Sequence, residues 1–248
     1  MDYSALRETM KSRFGIGYVE QSDQEKGIPQ PPLEKPLEDG SDAIELPDPA
    51  GIGISPLNLR DLIESRRSVR QYSEQPVSLD ELSFMLWATQ GVHSVLGDSY
   101  ATLRSVPSAG ARHPYETYLN ISRVEGMEPG LYRYQPMSHS LVKIKDNGEL
   151  AIRFRQACLN QEMAETCAVL FIWTCIPYRT EWRYGQKAHK VILIDAGHIC
   201  GNLYLGAGAT GCGACAIAAY TQQDVDRIVG VDGNDEFTVY LCSVGKLK

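Results

Sequence analysis

Seven of the thirteen prolines, Pro29, Pro31, Pro32, Pro36, Pro47, Pro49 and Pro56, fall within residues 29 to 56. Proline fixes φ and removes a backbone donor, so this stretch supplies neither a regular helix nor an inner strand. It reads as an extended arm. Upstream, Tyr3 to Phe14 has the pattern of a short helix that buries little alone and needs the body, or a second copy, to pack on. From residue 57 onward roughly 190 residues remain, which suits one domain. The chain therefore divides into an N-terminal helix with a Pro-rich arm, 1–56, and one domain, 57–248.

Inside that domain Asn58 to Glu64 predicts a short helix, and Ser78-Leu79-Asp80-Glu81 is a capping box opening a second that stops near Gly91. Thr117 to Ile121, Leu131 to Tyr134 and Leu141 to Ile144 predict strands, and Ala168 to Ile176 a buried strand. Glu149 to Leu159 reads as helix, Lys187 to about Ala209 as a long, mostly apolar helix, and Gln222 to Val229 as a last helix before a closing strand, Phe237 to Val244. Strands and helices alternate without a βαβ rhythm, so the expected class is α+β rather than a doubly wound sheet.

Charge narrows the function classes. With 24 Lys+Arg against 31 Asp+Glu the net charge is −7, which argues against nucleic-acid or anionic-membrane partners. The longest nearly apolar run, Cys167 to Ile176, has ten residues, short of the roughly 20 that span a bilayer. The opening residues mix charges and lack an apolar h-region, which predicts no secretory signal. Seven cysteines, an odd number, then read as reduced thiols in a cytoplasmic protein.

Five motifs could carry chemistry. Arg66-Arg67-Ser68-Val69-Arg70 sets three guanidinium groups and a hydroxyl at a helix end, a donor set suited to phosphate oxygens; the plain alternative is a solvated basic helix end. Val106 to Glu116 is a loop of small residues between prolines, able to bring backbone against a flat ligand or simply to connect two elements. His113 within it is a minor acid–base candidate. Gly206 to Gly211 matches G-x-G-x-x-G, with Asp226 downstream, but only 37 residues follow Gly211, too few for a second mononucleotide half. These glycines read as a helix end and its exit loop. On the same helix Asp195, His198 and Asn202 share a face; His198 as a base oriented by Asp195 is one reading, hydrogen bonding to nearby backbone the favoured one, with Gly197 and Gly201 admitting a neighbouring helix. Cys212-Gly213-Ala214-Cys215 could be a redox pair or half a zinc site, yet nothing completes a metal site, so buried cysteines lining a strand are favoured.

Taken in order, RRSVRQY, LWATQG, VPSAGARHPYETYL, GLYRY, WRYG, LIDAGHICGNLYLGAGATG and VYLCSVGK resemble the flavin-dependent nitroreductase superfamily, and most closely its SagB-type, azoline-dehydrogenase-like branch, over about residues 57 to 246. The resemblance implies a nitroreductase-like α+β fold: a central, mainly antiparallel sheet flanked by helices, in an intertwined homodimer holding FMN at the subunit interface. By the same resemblance Arg66, Arg67, Ser68 and Arg70 hold the phosphate and ribityl chain. Pro107, Ser108, Ala109 and Gly110 form the loop that the other subunit lays against the isoalloxazine ring. Ala216, Ile217, Ala218 and Ala219 run beside the flavin, with the N–H of Ala218 facing N5, and Lys246 adds a late phosphate contact. Implied too is ping-pong transfer from NAD(P)H to a small electron-poor acceptor such as a nitroaromatic or quinone.

One departure matters. The azoline branch carries a Lys-Tyr pair where this chain has Arg183-Tyr184, and arginine cannot be deprotonated to act as a base. Tyr184 is left as the candidate acid or hydrogen-bond donor. Azoline dehydrogenation of a modified peptide, flavin binding without turnover, and a zinc or thiol-redox module on Cys212 and Cys215 stay open beside the reductase reading.

Overall fold

The computed structural model describes residues 7–15, 21–37, 42–53 and 58–248. Of the helix expected over Tyr3 to Phe14, residues 3–6 lie outside these; Arg7 and Glu8 are helical and the chain turns directly after them. Pro56 also lies outside.

A seven-stranded, wholly antiparallel sheet organises the chain. In chain order its strands and the helices between them are β1 (Ala43–Glu45), α1 (Leu59–Ser65), α2 (Leu79–Gln90), the separate hairpin β2 (Val92–Leu96) and β3 (Ala101–Arg104), β4 (Tyr115–Ile121), β5 (Gly130–Gln135), β6 (Ser140–Asp146), α3 (Leu150–Ala157), α4 (Met163–Thr166), β7 (Val169–Cys175), α5 (Tyr178–Tyr184), α6 (Ala188–Ala209), β8 (Cys212–Ile217), α7 (Gln222–Val229) and β9 (Phe237–Lys246). The strand order is β1-β6-β5-β4-β7-β9-β8. Strands and helices mix as α+β, as the absence of a βαβ rhythm predicted.

Each central strand is buried on both faces, and its alternate side chains enter two different cores. Leu119, Phe171, Trp173, Cys242 and Ala214 join Leu82, Met85 and Leu86 of α2 and Ile192, Ala196, Ile199 and Leu203 of α6. Tyr118, Leu170, Ile172, Leu241 and Cys215 join Leu150 and Phe154 of α3, Met163 of α4 and Val225 and Ile228 of α7. The molecule is thus helix, sheet, helix in layers. The capping box of α2 forms as its sequence predicts: Ser78 Oγ accepts from Glu81 N at 3.2 Å while Ser78 N donates to Glu81 Oε2 at 2.9 Å.

The arm is a strap across the body. Trp182 Nε1 donates to the Ile28 carbonyl at 2.7 Å, Arg104 to that of Leu33 at 3.0 Å and Arg133 to that of Pro36 at 2.7 Å. Lys35 pairs with Glu236 at 2.6 Å, and β1 then closes the sheet edge against β6. Prolines suit this course, because a strap whose carbonyls are its anchors needs few donors of its own.

With α5 before it, α6 forms a stretch, Tyr178–Ala209, that is long and apolar enough to cross a membrane by length and composition alone. Here it is a core helix: one side packs on the sheet and α2, which is why its apolar pattern is so complete. The glycines expected to admit a neighbouring helix are not where that approach occurs. Gly206 faces Ala88 and Met85 of α2, whereas an added Cβ at Gly197 or Gly201 would meet nothing within 4 Å.

Candidate functional site

The arginine segment leaves α1 and is laid over the end of the sheet by two close approaches. Ser68 bridges Ala214 in parallel, and Val69 N donates to the Ala214 carbonyl at 2.9 Å. A Cβ on Gly213 would stand 2.6 Å from that of Val69, and one on Gly245 2.7 Å from the Tyr72 ring, so glycine is what lets the segment seat. Tyr72 locks it, its hydroxyl donating to the Val69 carbonyl at 2.7 Å and lying 2.8 Å from Ser243 Oγ.

So placed, Arg66, Arg67, Ser68 and Arg70 are all exposed. Arg67 donates to the carbonyls of Glu64 and Arg66, Arg66 lies over the Tyr204 ring with 5.4 Å to its centroid, and Arg70 reaches the Ser68 carbonyl at 3.4 Å. Among the described residues none of the three arginines pairs with a carboxylate, although acidic residues outnumber basic ones in the chain. Three uncompensated cations within five residues repel one another and invite an anion.

Tyr204 of α6 joins this segment to β8. Its hydroxyl lies 3.1 Å from Ser68 Oγ and accepts from Ala216 N at 2.9 Å. β8 is the edge strand, and on its outer side the Ala214 carbonyl accepts from Val69 N while Ala216 N donates to Tyr204 Oη; Ala218 follows directly after the strand ends at Ile217. Ala218 and Ala219 are exposed, Ala216 is half-buried and Ile217 is buried in the core below. Tyr204 escaped the sequence reading because a tyrosine on an apolar helix looks like core; its nine-residue offset from Asp195 was the only sign.

The loop before β4 stands elsewhere. Gly110, Ala111 and His113 have φ of 59°, 53° and 44°, a left-handed run that costs energy at the two non-glycine positions. Gly110 is hemmed in by Tyr184 and Arg183, whose atoms lie 2.7 and 2.8 Å from an added Cβ. Arg183 donates to Tyr100 Oη at 2.7 Å. His113 is buried, Nε2 bonds the Thr102 carbonyl at 3.1 Å, and burial beside Arg104 pushes its pKa down to about 3. A neutral, enclosed ring of that kind is not an acid–base catalyst.

Asp195 accepts from Ser108 Oγ at 2.7 Å and Ala109 N at 3.2 Å; His198 Nδ1 is 3.9 Å from it. The backbone-bonding reading of Asp195 therefore holds. Asp195 and Tyr204 are nine residues apart, which on an α-helix is about half a turn of azimuth and roughly 13 Å of rise. Loop and arginine segment therefore flank α6 on opposite sides.

The remaining candidates take plain roles. Lys246 Nζ bonds the Glu81 carboxylate and, at 3.2 Å, the Thr210 carbonyl, so an anion would have to compete for it. Gly206 to Gly211 ends α6, with Gly211 at φ 69°. Asp226 accepts from Thr238 N at 2.7 Å, a structural bond. Cys212 and Cys215, three apart on a strand, point into opposite cores, and burial raises both thiols, which rules them out as a local redox pair. A cleft of about 840 Å³ between Ser22, Asp23, Lys26 and Tyr178, Glu181, Tyr184 lies under the strap and shares no residue with Arg66 to Arg70.

A profile of the Nitroreductase family matches residues 63–246, from α1 to the end of β9. The chain belongs to the nitroreductase family. It is 34% identical over 203 residues to "Putative nitroreductase MJ1384" of Methanocaldococcus jannaschii, covering 82% of this chain and 96% of that one. It is 28% identical over 165 residues to the trifolitoxin-processing protein TfxB of Rhizobium leguminosarum bv. trifolii, covering 63% of this chain and 44% of that protein's length. In fold it superposes with a TM-score of 0.62 and 18% identity on a chain of the E. coli microcin synthetase McbBCD complex with truncated pro-MccB17 bound, over 95% of this chain and 85% of that one. In this chain the arginine segment lies beside β8 and the strained loop on the other side of α6.

Proposed function

We propose that this nitroreductase-family chain is an FMN-dependent oxidoreductase working as a homodimer, taking electrons from NAD(P)H and passing them to a small electron-poor acceptor. The observation that carries the reading is the set of three exposed arginines that, among the described residues, have no carboxylate partner, beside β8. Their donors suit a phosphate, and the small exposed Ala218 and Ala219, directly after β8, leave backbone open to a flat ring, where the N–H of Ala218 would face N5. Bound there, FMN would supply two-electron hydride chemistry between donor and acceptor. Arg66, Arg70 and Ser68 would hold its phosphate end, with Tyr204 keeping Ser68 and the Ala216 N–H in place.

The position of the loop argues for a second copy. Pro107 to Gly110 cannot reach across α6 to the same chain's arginines, so a ring contact from this loop would come from another subunit. The exposed side of α6, with Leu193 63% and Ile194 47% accessible, together with Leu59 and Ile63 of α1, offers an apolar face for that contact.

A second reading has support of its own. The trifolitoxin-processing protein and the microcin synthetase complex among the similar proteins favour oxidation of a modified peptide. In this chain Arg183 cannot serve as a base, while Tyr184, packed against Gly110, stays available as a proton donor.

The test is the visible spectrum of purified protein with identification of the chromophore released by heat. Arg66→Ala and Arg70→Ala should each weaken FMN binding by about 1.5–3 kcal/mol, the worth of a charged hydrogen bond. Unchanged affinity in both would end the assignment. Peptide rather than nitroaromatic turnover by the flavin-loaded protein would select the second reading.

A further inference from the structure

We infer that Asp195 is the positioning residue of the loop Pro107–Gly110, anchoring it just ahead of the strained residues Ala111 and His113 so that it can face a ring; this rests on the reading of that loop as the flavin's cover. The loop does not hold itself. Ala111 and His113 keep left-handed backbones that cost energy, and the hydrogen bonds gathering them converge on one residue. The Ser108 carbonyl accepts from Ala111 N at 3.0 Å, and its hydroxyl accepts from His113 N at 2.9 Å. That hydroxyl spends its single proton on Asp195 Oδ2 at 2.7 Å, and the same oxygen accepts from Ala109 N at 3.2 Å.

Asp195 is 4% exposed, on the core helix α6, whose backbone is placed by packing on the sheet and α2. A buried carboxylate is costly unless it is paired; among the described residues no lysine or arginine pairs with Asp195, and the nearest basic nitrogen is His198 Nδ1 at 3.9 Å. Two donors from the loop are what satisfy it. Carboxylate and loop thus hold each other: the loop relieves the buried charge, and the two hydrogen bonds that the carboxylate oxygen accepts fix the loop. An apolar residue would fill the space on α6 at lower cost, so the carboxylate's place is explained by what it orders.

The test uses Asp195→Ala, Asp195→Asn and Ser108→Ala in the full chain, first without flavin. An asparagine oxygen can still accept both donors, so hydrogen bonding, not charge, is what it preserves. Exchange protection of the Ala109 and His113 amides should fall about tenfold or more in Asp195→Ala and Ser108→Ala, and return to within about threefold of wild type in Asp195→Asn. With added FMN, the visible circular dichroism of the bound ring should change in the first two variants and be restored in the third. Full protection and an unchanged flavin signal in Asp195→Ala overturn the inference, as does an asparagine variant no better than alanine. If Asp195→Ala does not fold, Ser108→Ala decides in the same terms. Wild-type protein that takes up no FMN would end the flavin reading, while the exchange measurements still judge the loop.

Discussion

His113 shows how burial settles a residue's role. Its sequence neighbours make it look reactive, but it sits among Arg104, Arg112 and Arg179 with its ring under the β2–β3 hairpin, and its pKa is pushed down from 6.5 to about 3. As pH falls from about 6.5 toward 3 the unfolded chain takes up a proton that the folded one refuses, so stability present above pH 6.5 is lost on the way down, by at most about 1.4 kcal/mol per pH unit. His113→Gln should therefore show a shallower loss of stability than wild type in denaturant titrations across that range. Parallel curves would mean the ring is not neutral in the fold. Gly213 gives a second expectation at this scale. With Val69 Cβ 2.6 Å from its missing Cβ, Gly213→Val should lift the arginine segment, lose about 1–3 kcal/mol by overpacking, and weaken FMN binding with every arginine intact. The arginines and small loop residues were legible because their chemistry is local; Tyr204 and the Glu81 partner of Lys246 were not, because those contacts join residues more than a hundred apart.

At the scale of elements, periodicity and capping found the long helices. The helix predicted from Lys187 to about Ala209 is Ala188–Ala209, and the capping-box helix ends at Gln90. The strap's strand β1, three residues long, and the hairpin of exposed β2 and mostly buried β3 went unread because none of the three buries an alternating face. α5 was missed as well: Tyr178 to Tyr184 begins after Pro177, carries aromatic residues at strand-like density, and is helical through its packing on the strap. That packing has a measurable consequence. Trp182 Nε1 donates to the Ile28 carbonyl and Trp182 O accepts from Gln24 N. Trp182→Phe removes the first bond and leaves the second, so it should cost about 1 kcal/mol and speed proteolysis within residues 21–37 while leaving the sheet's melting cooperative. Unaltered cleavage would show that the Trp182 indole bond is not what holds the strap.

For the whole molecule, α6 is the element that everything else implies is shared. It holds the loop through Asp195 on one side and the arginine segment through Tyr204 on the other, so in one chain the two parts of the proposed site face apart. Its bare stripe, Leu193, Ile194, Gly197 and Gly201, lies open with glycines that would let another helix come close. A two-fold arrangement of two such helices would carry each loop toward the other chain's β8 and complete two equal sites at once. Ile194→Glu places a charge at the centre of that stripe without touching either polar cluster. If the stripe is the contact, sedimentation should show the variant as monomer, its secondary structure should be retained, and FMN binding should fall with dimer content, not independently of it. Titrating the wild-type protein over concentration separates the two linked steps, since flavin uptake that waits on a second copy must steepen with protein concentration, whereas a site complete in one chain binds with the same affinity at every dilution.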